Sequence, residues 1–280
     1  MREKTKRAIS RNGEHAREMG RLIQTLSHRH RPHQVFADFC EMAALSISNA
    51  FDKAQFETRE ARYMQIVKGY SAEEVALFPQ LLGELTEWLE SGMDDCLGKL
   101  FMQLELGNHW KGQFFTPFEI ARLMAQMTVG DVRAQVEEQG FITVCEPAAG
   151  AGGMLIAMAD TIAQQGMNCQ KVMHATAIDI DATAVHMCYV QLSLLGIPAV
   201  VLHGNALNAE TWGHWLTPMH FVHGWDFKLL RRYGPPESAE QRAPEARPQE
   251  PYQPPQPAEQ IAEFRQRVVA QRVGQMSLFG

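Results

Sequence analysis

Apolar residues recur every three or four positions from about residue 34 to residue 130. This spacing is that of one face of a helix, and no strand-like alternation interrupts it. We therefore predict a bundle of several helices, in which the period is clearest at 35–51, 73–90 and 94–106.

The pattern changes at about residue 141, where short apolar runs rich in β-branched residues begin to alternate with helical segments. Strands joined by helices at this spacing predict right-handed crossovers and a parallel sheet. A fourth strand is predicted in a weakly apolar run at 220–227. The other predicted strands are 141–147, 174–180 and 199–205, and the helices between them are 154–166 and 182–196.

Beyond the sheet the composition changes again. Residues 234–257 hold eight prolines among Gln, Glu, Ala and Arg, which is typical of a semi-stiff, disordered linker. A short amphipathic helix is predicted after it. The predicted organisation is a basic N-terminal arm at 1–33, a helical domain at 34–130, a sheet domain at 131–233, a linker at 234–258, and a short helix with a terminal motif at 259–280.

Composition and charge narrow the range of functions. The 280 residues are 45% hydrophobic and 21% charged, which is enough for one sizeable core with appendages. The net charge of −6 does not suggest nucleic-acid binding. Residues 1–33, however, carry nine Lys and Arg against three Glu, so this arm is a candidate phosphate-contacting segment. An ordinary soluble terminus explains the same charges equally well.

The five cysteines are dispersed, and neither they nor the histidines have metal-ligand spacing. Such a set is typical of reduced thiols in a cytosolic protein. The N-terminus lacks the apolar core of a signal peptide, and no apolar run reaches the roughly 18 residues of a membrane span. We expect a cytoplasmic protein with no metal ion and no membrane partner.

Residues 146–153, EPAAGAGG, form a glycine-rich loop after the first predicted strand. A phosphate-binding P-loop needs Lys and Ser or Thr after its last glycine, but Met154 and Leu155 follow here. The third glycine of the dinucleotide fingerprint is also missing. Glu146 would repel a pyrophosphate, whereas a ligand presenting ammonium or hydroxyl groups would suit it.

Polar side chains follow the next two predicted strands. Asp179, within AIDID, can accept hydrogen bonds from both ribose hydroxyls, and Asn205 offers an amide that can bind an adenine edge. The carboxyl ends of adjacent parallel strands meet at one edge of the sheet. Together with the glycine loop, these residues predict a site for S-adenosylmethionine (AdoMet).

A helix predicted within 112–127 fits the same site. Thr116 is its expected N-cap, Pro117 takes the first helical position, and Glu119 completes a capping box. The free N–H groups at such a helix start favour an anion, here the methionine carboxylate of AdoMet. Phe115 would cover the site with apolar surface. A capped helix with a purely structural role is the alternative.

With these motifs, the chain resembles the adenine-N6 DNA methyltransferases, and is most similar to the methylation subunits of type I restriction-modification systems. The resemblance covers roughly residues 80–225 and implies an α/β fold: a truncated Rossmann-like AdoMet sheet preceded by a helical domain. The motifs that carry it are GQFFTP at 112–117, EPAAGAGG at 146–153, AIDID at 177–181 and GNAL at 204–207. The cofactor-binding residues it implies are Phe115, Thr116, Pro117, Glu146, Pro147, Gly150, Gly152, Asp179, Ile180 and Asn205.

The sequence departs from this family where the catalytic tetrapeptide, Asn-Pro-Pro-aromatic, is expected. The nearest candidate is TPMHF at 217–221, in which Thr217, Pro218, and His220 or Phe221 take the catalytic positions. A threonine hydroxyl is a poorer acceptor for the target amino group than an amide oxygen. Either this segment works weakly or with a partner subunit, or the chain binds AdoMet or DNA as a silent regulatory or adaptor protein.

The segment QMSLF at 275–279 resembles the pentapeptide by which many bacterial proteins dock on the DNA sliding clamp. Gln275 would bond the groove edge, and Leu278 and Phe279 would fill an apolar pocket. A tail that folds back on its own domain, or a chance match, is the alternative. Taken together, the sequence predicts an AdoMet-dependent adenine-N6 DNA methyltransferase of the restriction-modification type, with DNA, a specificity subunit and the clamp as its partners.

Overall fold

The computed structural model describes residues 2–104 and 115–234, with side chains from residue 13 onward. The predicted linker, the helix after it, the clamp-like motif with Gln275, Leu278 and Phe279, and the first half of GQFFTP lie outside the described residues.

The first part of the chain is helical, as its apolar spacing predicts. Helix α7 follows the undescribed segment and leads into α8, which ends just before the sheet. These helices are α1 (Arg2–Leu26), α2 (Pro32–Phe51), α3 (Phe56–Val67), α4 (Ala72–Val75), α5 (Phe78–Glu90), α6 (Cys96–Gln103), α7 (Phe118–Val129) and α8 (Val132–Gln139).

Helix α1 runs through most of the predicted basic arm. Its residues Met19, Leu22, Ile23 and Leu26 recur at helical spacing and are buried, where α1 packs against α2 and α5. The second half of the arm is therefore part of the packed helical layer. The predicted boundary at residue 33 separates α1 from helices that it packs against.

The second part alternates strands and helices. The sheet is built from β1 (Ile142–Glu146), β2 (Met173–Asp179), β3 (Ala199–Asn205) and β4 (Glu210–Leu216), and the remaining helices are α9 (Gly153–Gln164), α10 (Cys169–Val172), α11 (Ala182–Leu194), α12 (Pro218–Val222) and α13 (Trp225–Tyr233). The strand order is β1-β2-β3-β4, and the first three strands are parallel. The predicted α/β fold class is confirmed.

The fourth strand was predicted at 220–227, and this prediction is wrong. The fourth strand is β4 at Glu210–Leu216, and most of 220–227 lies in α12 and α13. Only residues 206–209 separate β3 from β4, and so short a link joins antiparallel neighbours, because a parallel crossover needs a dozen residues or more. Leu216 consequently pairs with Val200, near the amino end of β3. The apolar run at 220–227 instead buries Trp225 on a helix.

One continuous core joins the helical layer to the sheet. The crossovers through α9 and α11 advance across the sheet in the same direction, so right-handed connections place both helices on one face. Helix α2 packs against α11, and buried residues of both parts belong to the same apolar cluster. The helical and sheet regions therefore form one unit within Met1–Gly234.

A buried arginine ties the helical layer to the outer strand β4. Arg59 on α3 donates to Asp52 Oδ2 at 2.9 Å and to the His214 carbonyl oxygen at 2.8 Å. It also donates to the Ser48 hydroxyl, and its guanidinium lies over the Trp215 ring. The guanidinium charge is thus balanced by a carboxylate and stacked on an aromatic face, an environment that suits arginine better than lysine.

None of the helices in the described part of the chain combines the length and the apolar character needed to cross a membrane.

Candidate functional site

The glycine loop turns the chain from β1 into α9. Gly150 and Gly152 have φ values of 53° and 92°, a region that side chains other than glycine rarely adopt. A Cβ on Gly150 would also lie 2.8 Å from the ring of Phe115. The loop is fixed to the next strand by the Ala149 N–H, which donates to the Ile178 carbonyl oxygen at 2.9 Å.

Asp179 ends β2 directly beside this loop. Its Oδ2 accepts from the Gly150 N–H at 2.8 Å, and its Oδ1 accepts from the Asp181 N–H at 2.9 Å. Asp181 in turn caps α11 by accepting from the Thr183 N–H at 2.8 Å. The structure therefore brings Asp179 and the glycine loop together, as the sequence predicts, and holds the carboxylate in a fixed orientation.

A cavity of about 130 Å³ lies against the loop. Two carboxylates line it, Asp95 and Glu146, and the predicted residues Phe115, Thr116 and Gly150 line it as well. The Glu146 carboxylate accepts from the Ala148 N–H at 3.2 Å. Carboxylates and backbone groups around a small cleft suit a ligand with a positive amino group.

The start of α7 differs from the predicted capping box. The helix begins at Phe118, and Pro117, with ψ 135°, takes the N-cap position without a side-chain cap. Thr116 lies one residue earlier, where it lines the cleft. Glu119 is largely exposed and lies 3.7 Å from Lys99. The proline occupies the position predicted for the threonine, so Thr116 is free to face the cleft.

The rest of the carboxyl edge is formed by the carboxyl ends of β2 and β3 and by the start of the antiparallel strand β4. Ile180 is 61% exposed, as expected of a residue that packs on a ligand ring. His203, the register partner of Asp179, packs edge-on against Trp212 with 5.0 Å between ring centroids. Trp212 is half exposed. Sequence analysis missed both rings, because they become neighbours only when β4 pairs antiparallel with β3.

Asn205 is partly engaged within its own turn. Its Oδ1 accepts from the Leu207 N–H at 3.0 Å, a side-chain turn typical of asparagine. In the described part of the chain its amide nitrogen has no hydrogen-bond partner. The amide N–H groups of Asn205 are therefore the part of its side chain that this turn does not use.

Sequence analysis also missed Asp95 and Gln191, which join the helical layer to the glycine loop. Asp95 caps α6 by accepting from the Gly98 N–H at 2.9 Å, and burial raises the pKa of its carboxyl. Gln191 on α11 is fully buried and donates to Asp95 Oδ1 at 2.9 Å and to the Ala151 carbonyl oxygen at 2.8 Å. An Asp before an apolar helical run is a cap signal, but its position beside the loop depends on tertiary packing.

The structure does not bring TPMHF to this edge. The Thr217 hydroxyl is fully buried, donates to the Ile197 carbonyl oxygen and accepts from the Ala199 N–H, both at 2.8 Å. Pro218, the next residue, is also buried. These contacts place the segment at the amino end of β3, a strand length of roughly 20 Å from Asn205.

His220 and Phe221 lie at the same amino edge. His220 contacts His174 at the start of β2 at 2.9 Å and Asp226 at 2.8 Å, and its ring packs against Phe221. The predicted catalytic residues Thr217, Pro218, His220 and Phe221 therefore lie at the amino edge, because the direction of β4 carries this segment away from the cleft.

The fold and the site define the class: a Rossmann-like sheet with a glycine loop after β1 and an acid at the end of β2, the arrangement of AdoMet-binding domains. Residues 100–224 match the family model described as N-6 DNA methylase. This match confirms the resemblance carried by the motifs, and it supports an AdoMet-dependent methyltransferase.

The solved structures similar to this chain include a candidate class I S-adenosylmethionine-dependent methyltransferase from Listeria monocytogenes. It shares 13% identity, with 76% of this chain and 70% of that chain covered, and a TM-score of 0.39. Among curated proteins, none matches the chain.

Proposed function

We propose that the chain binds AdoMet at the carboxyl edge of its sheet and takes part in methyl transfer to adenine N6 in DNA. The observation that carries this proposal is the bond between Asp179 and the Gly150 N–H, which joins the acid and the loop into one site. The family match over residues 100–224 supplies the reaction type.

The residues present fit the two ends of AdoMet. At the amino-acid end, Glu146 and the backbone from Gly150 to Gly152 receive the methionine part, while Thr116 and the start of α7 meet its carboxylate. At the adenosine end, the carboxylate of Asp179 receives the ribose hydroxyls, and exposed Ile180 packs on the adenine ring.

AdoMet, when bound, supplies a methyl group on a positively charged sulfur. In-line attack by the N6 amino group of a flipped adenine needs positioning more than a general base. The chain orients the donor through Asp179 and Ile180 and excludes water with Phe115. It must also present an acceptor for the N6 hydrogens, and TPMHF lies at the other edge of the sheet.

We place the missing acceptor on a partner subunit of the restriction-modification type. Support comes from β1, the outer strand of the sheet, along which no further strand pairs in the described part of the chain. The carboxyl end of β1 is Glu146, which borders the cleft. A partner strand added along this edge would end at the methyl donor.

Sequencing of modified bases in cellular DNA tests the proposal. Cells that produce the full chain together with its natural neighbouring subunits should gain N6-methyladenine at a defined sequence. Cells with Asp179→Ala should not. Methylation of cytosine instead, or equal N6-methyladenine with both forms, would contradict the proposed reaction.

A silent AdoMet- or DNA-binding regulatory protein is the second candidate. It is favoured by the burial of Thr217 and His220 within the amino edge, which removes the one acceptor segment identified in the sequence. Calorimetry separates the two candidates: AdoMet binding without methyl transfer, even with partner subunits present, would favour the regulatory protein.

Docking on the DNA sliding clamp is a separate part of the proposal and rests on the sequence of 275–279. A pull-down with purified clamp should retain the full chain and lose the double variant Leu278→Ala/Phe279→Ala. Equal retention of both forms would end this part, and would leave the AdoMet site untouched.

A further inference from the structure

Asp95 contributes a second carboxylate to the cleft, and none of the sequence motifs contains it. It is only 4% exposed, yet it lines the same cavity as Glu146 and Thr116. It comes from the helical layer, whereas the rest of the acidic site comes from the ends of the strands.

The two oxygens of this carboxylate have different surroundings. Oδ1 accepts from the Gly98 N–H and from Gln191 Nε2, both at 2.9 Å. Oδ2 has no hydrogen-bond partner in the described part of the chain. It lies 3.1 Å from where a side chain on Gly153 would begin, and a Cβ on Gly98 would collide with the carboxylate. Two glycines thus leave room for an oxygen that faces the cleft beside the start of α9.

Capping α6 does not by itself explain an aspartate here. The cap uses one acceptor oxygen, which Asn or Ser would supply equally well. A buried carboxylate without a cation is costly, and Lys99, the nearest lysine along the chain, lies 2.7 Å from Asp94 and 3.7 Å from Glu119. Within residues 2–104 and 115–234, no ion pair includes Asp95.

We propose that Asp95 Oδ2 binds the α-ammonium group of the methionine part of AdoMet, with Gln191 as the positioning residue that holds the carboxylate. The proposal rests on the AdoMet site proposed above and assigns its amino-acid end. Gln191 also binds the Ala151 carbonyl oxygen, so the same side chain sets the carboxylate and the glycine loop at a fixed separation. Glu146, at the carboxyl end of β1, lines the same cleft and receives the methionine part together with the loop backbone.

Two nucleosides distinguish this contact from a general loss of binding. S-adenosylhomocysteine carries the ammonium group, and 5′-methylthioadenosine lacks the whole amino-acid part. Calorimetric titration of the full-length chain with each should show that Asp95→Asn weakens S-adenosylhomocysteine about 10- to 100-fold, the range of a hydrogen bond to a charged group. Binding of 5′-methylthioadenosine should change less than about twofold. The asparagine keeps an oxygen for the cap of α6.

Asp94→Asn is the matched control, because it removes the neighbouring carboxylate, which pairs with Lys99 and does not line the cavity. It should leave both affinities unchanged. Should Asp95→Asn fail to fold, Asp95→Ser keeps a capping oxygen and is titrated in its place.

Unchanged binding of S-adenosylhomocysteine by the Asp95 variant would overturn the ammonium contact, as would an equal loss for both nucleosides. In either case the wild type still binds, so the AdoMet site stands. If the wild type binds neither nucleoside, the proposed function itself fails and the assignment of Asp95 fails with it.

Discussion

The two edges of the sheet are built from the same strands but have opposite characters. At the carboxyl edge, the Glu146 carboxylate and the glycine loop line an open cleft, and the Asp179 carboxylate accepts from the loop at Gly150. At the amino edge, the rings of His174, His220 and Trp225 pack together, and all three residues are almost fully buried.

The difference shows that polar residues on one sheet serve two purposes. The carboxyl edge is the open edge, because its carboxylates keep oxygens that a ligand can reach. General rules for α/β sheets lead one to expect ligands at this edge. The hydroxyl of Thr217 and both ring nitrogens of His220 already have hydrogen-bond partners within the protein. These hydrogen bonds hold α12 and α13 against the sheet. Substitutions at the two edges should therefore change different quantities, and four predictions test this.

The largest effect is expected for Asp179→Ala at the open edge. The variant loses the proposed ribose contact and releases the Gly150 N–H, so AdoMet affinity should fall about 100-fold or more, in line with the loss of hydrogen bonds to a charged group. Isothermal calorimetry measures this. The control is Asp160→Ala, which removes an ion pair with Arg122 on the surface of α9 and α7. Equal affinities for all three proteins would contradict the assignment of the open edge.

The amino edge is the closed edge, where the rings are buried, and it should make the stability of the fold sensitive to acid. Burial, followed by the neighbouring His220, lowers the pKa of His174 to about 3, while Asp226 opposes and Lys228 adds to the shift. In the unfolded chain a histidine has a pKa of about 6.5, so as the pH falls it is protonated before the folded protein is. The stability that comes from burying neutral His174 is therefore complete above pH 6.5 and is lost as the pH falls toward 3. Between pH 7 and pH 5 the loss is roughly 2 kcal/mol.

His174→Gln should flatten this pH dependence, because glutamine keeps a hydrogen-bonding group toward His220 but does not titrate. Urea unfolding of both proteins at pH 7 and pH 5 measures the difference in the free energy of unfolding. Parallel losses in the two proteins would show that the acid sensitivity comes from other groups.

Thr217→Val at the closed edge should lower the free energy of unfolding by about 1–3 kcal/mol, since it leaves the Ala199 N–H without its acceptor. The affinity for AdoMet should stay within about twofold of the wild type. Thr217→Ser, which keeps the hydroxyl, is the matched control for stability. If Thr217→Val has the wild-type free energy of unfolding but no longer supports methyl transfer, Thr217 would have a catalytic role.

The smallest effect is expected for Ile180→Ala. Removing exposed apolar surface at the position proposed to pack on the adenine ring should weaken AdoMet binding roughly fivefold, or by about 1 kcal/mol, the free energy of burying one or two methylene groups. The stability should change little. Met127→Ala on α7 removes a comparably exposed apolar side chain away from the cleft and should have no effect. Equal affinities for the wild type and Ile180→Ala would exclude Ile180 from the ligand contact.

The first three strands and the two crossover helices follow from local sequence signals. Each has a period that matches its structure, and the glycines that mark the loop are required by their backbone conformation. Asp179 could be assigned to the open edge because an acid at the end of a parallel strand has one possible edge to occupy. These predictions needed no knowledge of distant contacts.

The rest depended on tertiary structure. The direction of β4 is decided by the length of a four-residue link, and this direction carries TPMHF to the amino edge of the sheet. Asp95 lies 51 positions before Glu146, and its place in the cleft depends on how α6 packs against α11 through Gln191. No periodicity in the sequence carries that information.

A crystal structure of the full chain grown with saturating AdoMet tests the central claim most directly. We predict that the adenosine lies beside Asp179 and Ile180, with the methionine end in the cleft lined by Glu146 and Asp95. Density for the ligand at another surface, or a cleft closed by the protein's own side chains while the ligand is saturating, would contradict it.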